Sequence, residues 1–346
     1  MDFVNLFLNI FAPIFTFNAF LFLFPVYLCF RSLRYVFRSI FRENVAGKVV
    51  VIAGASSGIG EHLAYEYGSR GAYLVIGARR NKALRDVAET ARWLGSPLVV
   101  PIRTDVSKPE DCKRLIEQAI ESFGRLDHLV IPAGITPACM FEDTFDVTNF
   151  KPAMDINFWG PVYTTYFAAP YLRMTRGKIV AIASSNSWLN APRLSYYSAS
   201  KAAVVSFFET MRVEFGSDIG ITIVLPGLVE SEMTKGKILS KDGKMVVDQE
   251  MRDVVMSAVP IKAVDRCAKE IVKSVCRGDK YLTVPSWFRA LFFFKMMCPE
   301  AVDWFNRWFC ITEPENMPTI SQKITKLPGL KDFVHPDSVR SPKIKT

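Results

Sequence analysis

Lys48-Val49-Val50-Val51-Ile52-Ala53-Gly54-Ala55-Ser56-Ser57-Gly58-Ile59-Gly60 is the stretch on which the reading of this chain turns. Its first half is an unbroken apolar, β-branched run, the pattern of a strand buried on both faces. Its second half holds three glycines, and a helical pattern opens at Gly58. Glycine lets the backbone turn tightly and come close to a ligand. The helix start adds unpaired N–H groups and the positive end of a dipole, which together suit a pyrophosphate. A glycine triplet alone is a weak signal. Its place after a strand and before a helix makes it a strong one.

Working outward, the next strands fall at 72–78, 98–102, 129–131, 178–183 and 221–225. Helical patterns separate them at 81–94, 109–123, 150–174 and 197–215. Unbroken apolar strands between helices predict a parallel sheet covered on both faces. No internal repeat is visible.

Chemistry-bearing residues follow the strand ends. Gly77-Ala78-Arg79-Arg80 closes the second strand, where an NAD-dependent dehydrogenase carries Asp or Glu for the ribose 2′-hydroxyl. The arginine fork suits a 2′-phosphate instead. Tyr197 and Lys201 stand at i and i+4 of a helix and share one face. A phenol has an ordinary pKa near ~10, and a neighbouring ammonium favours the phenolate, which would make Tyr197 an acid/base near neutral pH. Such a pair occurs by chance in many helices, so its weight comes from the residues around it.

The GxxxGxG spacing of Gly54, Gly58 and Gly60 resembles the short-chain dehydrogenase/reductase family, and the other motifs of that family follow in order over 48–284. The resemblance implies a Rossmann-type doubly wound parallel sheet and a nicotinamide cofactor. It implies cofactor contacts from Gly54, Ser56, Ser57, Gly58, Ile59, Gly60, Arg79, Arg80, Asp105, Val106, Ala133, Gly134, Lys201, Pro226, Gly227 and Val229. Family members that prefer NADP often carry a basic residue where this chain has Ser57, so the expectation of NADP rests mainly on Arg79. The family usually has Asn-Ala-Gly where Pro132-Ala133-Gly134 stands, and Pro132 removes the usual side-chain hydrogen bond. The resemblance also assigns the catalytic set. Ser184 orients the substrate oxygen, with Ser185 the runner-up. Tyr197 exchanges the hydroxyl proton, Lys201 lowers its pKa, and Asn157 links the relay to solvent. Substrate thus meets Ser184 and Tyr197.

The ends of the chain add a location. Residues 3–30 carry no charge, and 28 residues of helix reach roughly 42 Å against a ~30 Å hydrocarbon layer. Arg31, Arg34, Arg38 and Arg42 follow, which places the downstream chain on the cytosolic side. Length and the lack of a preceding basic region argue against a cleaved signal peptide. Pro13 and Pro25 leave two geometries open, a bent segment with both ends on one side, as a lipid-droplet monolayer requires, or a tilted span. The layout resembles the plant steroleosins and 11-beta-hydroxysteroid dehydrogenase-like proteins, which join a proline-knob anchor to this domain, associate with oil bodies and act on sterols with NADP. The knob of that group is usually richer in prolines.

Four segments result: an anchor at 1–44, a catalytic domain at 45–284, an aromatic stretch at 285–310 and a tail at 311–346. Residues 228–262 stand where the family varies its substrate lid. Met233, Met245, Val246, Val247, Met251, Val254, Val255 and Met256 suit a bulky apolar ligand or ordinary packing. The aromatic stretch, with Arg289, Lys295 and Arg307 among its rings, suits a membrane or lipid-droplet surface, or the subunit contact of a homodimer. The polar, proline-bearing tail predicts no stable structure. A net charge of +9 fits an anionic cofactor or membrane surface, and no nucleic-acid motif accompanies it. Seven cysteines without a CxxC pair and three distant histidines predict neither a disulfide framework nor a metal site.

Overall fold

The computed structural model describes residues 2–256, 259–311 and 317–340. The chain divides into two compact units, residues 1–44 and 45–346. The first is one helix, α1 (Asp2–Ile40), which contains both prolines. It is the one helix among the described residues long and apolar enough to cross a membrane. Of the two geometries left open by Pro13 and Pro25, the helix follows the unbroken one. Thr16 Oγ1 and Asn18 Nδ2 turn back to donate to the carbonyls of Ala12 (2.6 Å) and Ile14 (2.8 Å), which lowers the polarity they bring to the apolar helix.

The second unit alternates strand and helix in the expected order. It begins with β1 (Val49–Ala53), α2 (Gly58–Gly68), β2 (Tyr73–Ala78), α3 (Asn81–Trp93), β3 (Val99–Arg103), α4 (Pro109–Phe123) and β4 (His128–Ile131). Next come α5 (Lys151–Met154), a π-helical turn (Asp155–Trp159), α6 (Gly160–Thr175), β5 (Lys178–Ile182), α7 (Ser195–Phe215) and β6 (Gly220–Pro226). The lid segment supplies β7 (Lys237–Leu239), β8 (Met245–Val247) and α8 (Gln249–Met256), and α9 (Val264–Arg277) and β9 (Tyr281–Val284) close the domain. The aromatic stretch forms α10 (Phe288–Met297) and α11 (Pro299–Cys310). Three short helices, α12 (Ile320–Thr325), α13 (Leu330–Val334) and α14 (Asp337–Arg340), follow.

Seven parallel strands form one sheet in the order β3-β2-β1-β4-β5-β6-β9. This is the doubly wound fold that the sequence predicts, with β9 as a strand that the apolar pattern alone did not reveal. Alternate residues of β1 serve opposite faces, as strand geometry requires. Val50 and Ile52 join Leu63, Tyr67, Leu84 and Ile271 in one core, while Val49 and Val51 join Leu115, Leu172, Val204 and Phe208 in the other. Strand order reverses between β1 and β4, and the crevice outside their carboxyl ends is where an open α/β sheet takes a ligand.

The tail departs from expectation. The signal for α12 lies in the sequence: Thr319 and Gln322 form a capping box. Its helix then packs on α8, with the Ser321 hydroxyl donating to the Val254 carbonyl at 2.8 Å. Arg252 Nη1 reaches the Val339 carbonyl at 3.4 Å, and Val339 is fully buried. Residues 312–316 and 341–346 of the tail, and 257–258 of the lid, lie outside the described residues.

Candidate functional site

Every loop at the carboxyl edge of the sheet faces the crevice. Gly54 leaves β1 with φ +117°, and a Cβ there would lie 2.6 Å from the Ala133 nitrogen. A Cβ on Gly60 would lie 2.0 Å from the Gly54 carbonyl oxygen. These two glycines let the loop, α2 and the turn after β4 close on one another. Gly58 has φ +58°, and its missing side chain leaves room against Ser231 on the loop after β6. Of the residues expected at the cofactor, Ile59 from the glycine loop and Pro226, Gly227 and Val229 from the loop after β6 line one cavity. Gly77 and Gly160 set neighbouring walls. A Cβ on Gly77 would press on Thr104, and one on Gly160 would press on Val106, which is buried. The Asp105 carboxylate is engaged by the backbone N–H (3.1 Å) and hydroxyl (2.8 Å) of Ser107, in its own turn.

The two arginines after β2 behave differently. Arg79 is exposed. Arg80 folds over the glycine loop, with Nη2 at 2.8 Å from Ser57 Oγ and 3.3 Å from Ser56 Oγ. Its Nη1 meets Glu232 Oε1 at 2.6 Å. Sequence reading put the weight on Arg79 and did not single out Glu232, which is 152 positions from Arg80.

Asn157 occupies the π-helical turn. Pro161 has no N–H, and the Gly160 N–H instead reaches the Asp155 carbonyl, five residues back. The wide turn carries the Asn157 amide inward, where it is fully buried. Its Oδ1 accepts from the Ile135 N–H (2.8 Å), and its Nδ2 donates to the Ile135 carbonyl (2.9 Å) and to Ser200 Oγ (2.9 Å). Asn157 therefore fixes the turn after β4 to α7. Ser200 lies inside the Tyr197–Lys201 motif, yet its part in this clamp was not legible from spacing.

Ser184 follows β5 and its Oγ accepts from the Asn186 N–H at 3.1 Å. Lys201 is buried, and its Nζ donates to the Ile182 carbonyl at 2.9 Å. A Cβ on Gly134 would lie 3.3 Å from that Nζ, so the glycine admits the lysine to the crevice. Burial pushes the Tyr197 phenol above its ordinary value, while the Ser184 hydroxyl, hydrogen-bonded to it, pulls the other way. Burial also lowers the Lys201 ammonium to about 8. The sequence expects Lys201 to favour the phenolate. In the structure Ser184 has that effect, and the net displacement of the phenol is upward because desolvation is larger.

Ser184, Tyr197 and Lys201 line one cavity of about 470 Å³. Its remaining wall is mainly apolar. Met233, Met251, Val254, Val255 and Met256 come from the lid segment, as anticipated. Met245, Val246 and Val247 do not, since β8 turns them to the surface. The aromatic helices complete the wall through Phe288, Phe294, Phe305 and Phe309. Phe288 packs so closely on Gly227 that a Cβ there would lie 2.4 Å from its ring.

A family model for short chain dehydrogenases matches residues 48–241. The chain belongs to that family. Short-chain dehydrogenases are oxidoreductases that use NAD or NADP. Among curated relatives, "11-beta-hydroxysteroid dehydrogenase A" of Arachis hypogaea is 54% identical over 100% of both chains. "11-beta-hydroxysteroid dehydrogenase 1A" of Arabidopsis thaliana is 51% identical over 100% of both. Among solved structures, an alcohol dehydrogenase from the archaeon Thermococcus sibiricus complexed with 5-hydroxy-NADP aligns with TM-score 0.57 and 25% identity. That alignment covers 68% of this chain and 95% of the other. In this short-chain dehydrogenase the family model ends at residue 241, and α10 and α11, beyond it, add side chains to the cavity wall.

Proposed function

We propose that this short-chain dehydrogenase is a membrane-anchored, NADP-dependent hydroxysteroid dehydrogenase that interconverts a hydroxyl and a ketone on an apolar, sterol-like substrate. The observation that carries the reading is the cavity, which brings Ser184, Tyr197 and Lys201 together in a mainly apolar wall. Such a pocket buries a large apolar body and presents one oxygen to polar groups. The two hydroxysteroid dehydrogenases that match this chain over their whole length support the same substrate class.

A bound nicotinamide supplies a hydride carrier. Ser56, Ser57, Gly58 and Ile59 would hold its phosphates, with Arg79 and Arg80 beside the 2′-phosphate and Val229 near the amide. Ser184 donates a hydrogen bond to the substrate oxygen and fixes it beside Tyr197. Tyr197 gives its phenol proton to that oxygen in reduction and takes it back in oxidation. Its raised pKa keeps the proton in place at neutral pH, ready for donation. The Lys201 ammonium stabilises the phenolate that forms, and the Asn157 clamp holds α7 against the turn after β4 so that both side chains keep their aim. The apolar wall excludes water from the reacting carbon.

Helix α1 anchors the catalytic unit to the cytosolic face of the endoplasmic reticulum or a lipid droplet, and the outer faces of α10 and α11 lie at the lipid boundary. The test is turnover by detergent-solubilised full-length protein with NADPH or NADP against sterols, retinoids and ketosphingoid lipids. Sterol turnover with the phosphorylated cofactor is the expected result. Turnover confined to retinoids or long-chain ketones would replace the substrate class. No turnover of any of them, with cofactor bound, would favour a non-enzymatic droplet coat.

A further inference from the structure

Glu232 is an acidic residue placed where a phosphate reader works. It stands on the loop after β6, one residue before Met233 of the cavity wall, yet its carboxylate reaches back to the glycine loop. One oxygen accepts from Arg80 Nη1 at 2.6 Å and the other from Lys237 Nζ at 2.8 Å. The second arm of Arg80 is held between Ser56 and Ser57. Both ends of the Arg80–Glu232 pair are mostly covered, with side-chain exposures of 28% and 15%. Coverage on that scale weakens solvent screening relative to an open surface pair. Burial works to raise the Glu232 carboxyl, but the hydrogen bonds and charges of Arg80 and Lys237 outweigh it and hold the group below its usual range, so it is an anion at neutral pH.

An anion there has two consequences. It occupies a guanidinium whose fork geometry also suits a phosphate. It also sets a like charge beside any 2′-phosphate that arrives, and like charges repel at short range. NAD, which has a hydroxyl at that position, meets neither obstacle. Resting on the NADP reading above, we propose that Glu232 and Arg80 form a latch between the substrate lid and the cofactor loop, and that the 2′-phosphate of NADP must take Arg80 from Glu232 to bind. Glu232 thereby sets the strength of NADP preference, and cofactor choice is coupled to the wall segment that carries Met233.

Glu232→Gln keeps the shape and removes the charge. Calorimetric titration of detergent-solubilised full-length protein with NADP and with NAD reads the effect, and thermal unfolding without cofactor reads the latch itself. The expected result is opposite signs: Glu232→Gln binds NADP about tenfold more tightly, a change of about 1.4 kcal/mol, while NAD affinity stays within twofold and the cofactor-free protein melts earlier. Arg80→Gln should melt earlier as well and lose NADP preference, and the double variant should melt no earlier than either single one. A structural role alone would weaken NADP and NAD together. Unchanged or weaker NADP binding in Glu232→Gln overturns the latch. If the unaltered protein itself favours NAD, the NADP reading fails first. If it favours NADP and only the Glu232→Gln response is missing, the latch alone falls. Should Glu232→Gln fail to fold, Lys237→Met, which leaves Glu232 bound to Arg80 alone, should weaken NADP selectively, and equal effects on both cofactors would overturn the proposal.

Discussion

Lys201 carries a cost that can be measured without any substrate. Its buried ammonium donates to the Ile182 carbonyl at 2.9 Å, and its pKa falls from 10.5 to about 8. A drop of ~2.5 units at ~1.36 kcal/mol each means that burying the charged form costs about 3 kcal/mol. The direction follows from proton counting. Between pH 8 and 10.5 the unfolded chain holds the Lys201 proton and the folded protein does not, so stability rises with pH across that window. Below pH 8 both states are protonated and the penalty is felt in full. Lys201→Met removes the titration. It also leaves the Ile182 carbonyl without this donor, a loss of roughly 1–3 kcal/mol that does not vary with pH. Urea unfolding of cofactor-free, detergent-solubilised protein, followed by tryptophan fluorescence at pH 7, 8 and 9.5, separates the two effects. The difference between unaltered protein and variant should change by about 2 kcal/mol from pH 8 to 9.5, in favour of the unaltered protein. Cys112 and Cys267, both raised to about 12 by burial, are common to the two proteins and cancel. A difference that stays flat within about 0.5 kcal/mol would show that the Lys201 ammonium is solvated and that the site is wetter than its burial implies.

Tyr197→Phe should abolish turnover while calorimetric cofactor binding persists, since only the proton-transfer group is lost; more than a few per cent of residual rate would remove Tyr197 from its role. Deleting 317–346 strips α12–α14 from the lid helix and should raise KM for an apolar substrate by roughly tenfold with kcat changed less, because the wall at Val254 loses its backing. An unchanged KM would make the tail a bystander. Deleting 1–44 should release much of the protein from lipid in flotation with microsomes or droplets, and adding Phe293→Ser, Met296→Ser and Trp304→Ser should release the remainder. Full flotation of the first truncation would overturn the anchor, and complete release by it would assign the aromatic helices to subunit packing.

What the sequence disclosed follows a physical rule. Gly54, Gly58 and Gly60, Tyr197 and Lys201, and Ser184 at a strand end are legible because their chemistry needs neighbours at fixed short spacing, set by one loop or one helical turn. Six of the seven strands were legible for the same reason, since apolar runs and helical periods are local, while the edge strand β9 was not. Glu232 was not, because its partner Arg80 is brought to it only by the fold. Nor was the division of the lid: Met245–Val247 are as apolar as Met251–Met256, and only β7–β8 pairing turns the first group outward. Composition misled in the tail, where a capping box and a few well-placed hydroxyls order a segment that its average polarity predicts to be loose. It left two geometries open at Pro13 and Pro25, where one long apolar helix runs through both prolines.

The aromatic helices show that residues 285–310 also serve the cavity, a role beyond the lipid surface or subunit contact that their composition suggests. Helices α10 and α11 hold more aromatic and Met side chains than the cavity alone takes up. In α10 and α11 one set of side chains, Phe288, Phe294, Phe305 and Phe309, closes the cavity. Another set, Phe293, Met296, Met297, Trp304 and Trp308, does not line it and is 49% (Trp308) to 71% (Met296) exposed, while Phe294 and Phe305 reach both the cavity and the surface at 50% and 47%. Withdrawing each of these from water is worth about 1.5–3 kcal/mol, so an outer face of this kind favours an apolar neighbour. The two sets can be separated by mutation, and they must be. A serine at Phe305 or Phe309 would alter the substrate wall together with any lipid contact, and loss of activity would then be mistaken for loss of attachment. Serines at Phe293, Met296 and Trp304 touch the outer face alone. If these reduce flotation while KM for an apolar substrate in detergent is unchanged, the inner face belongs to substrate and the outer face to lipid, on the same two helices.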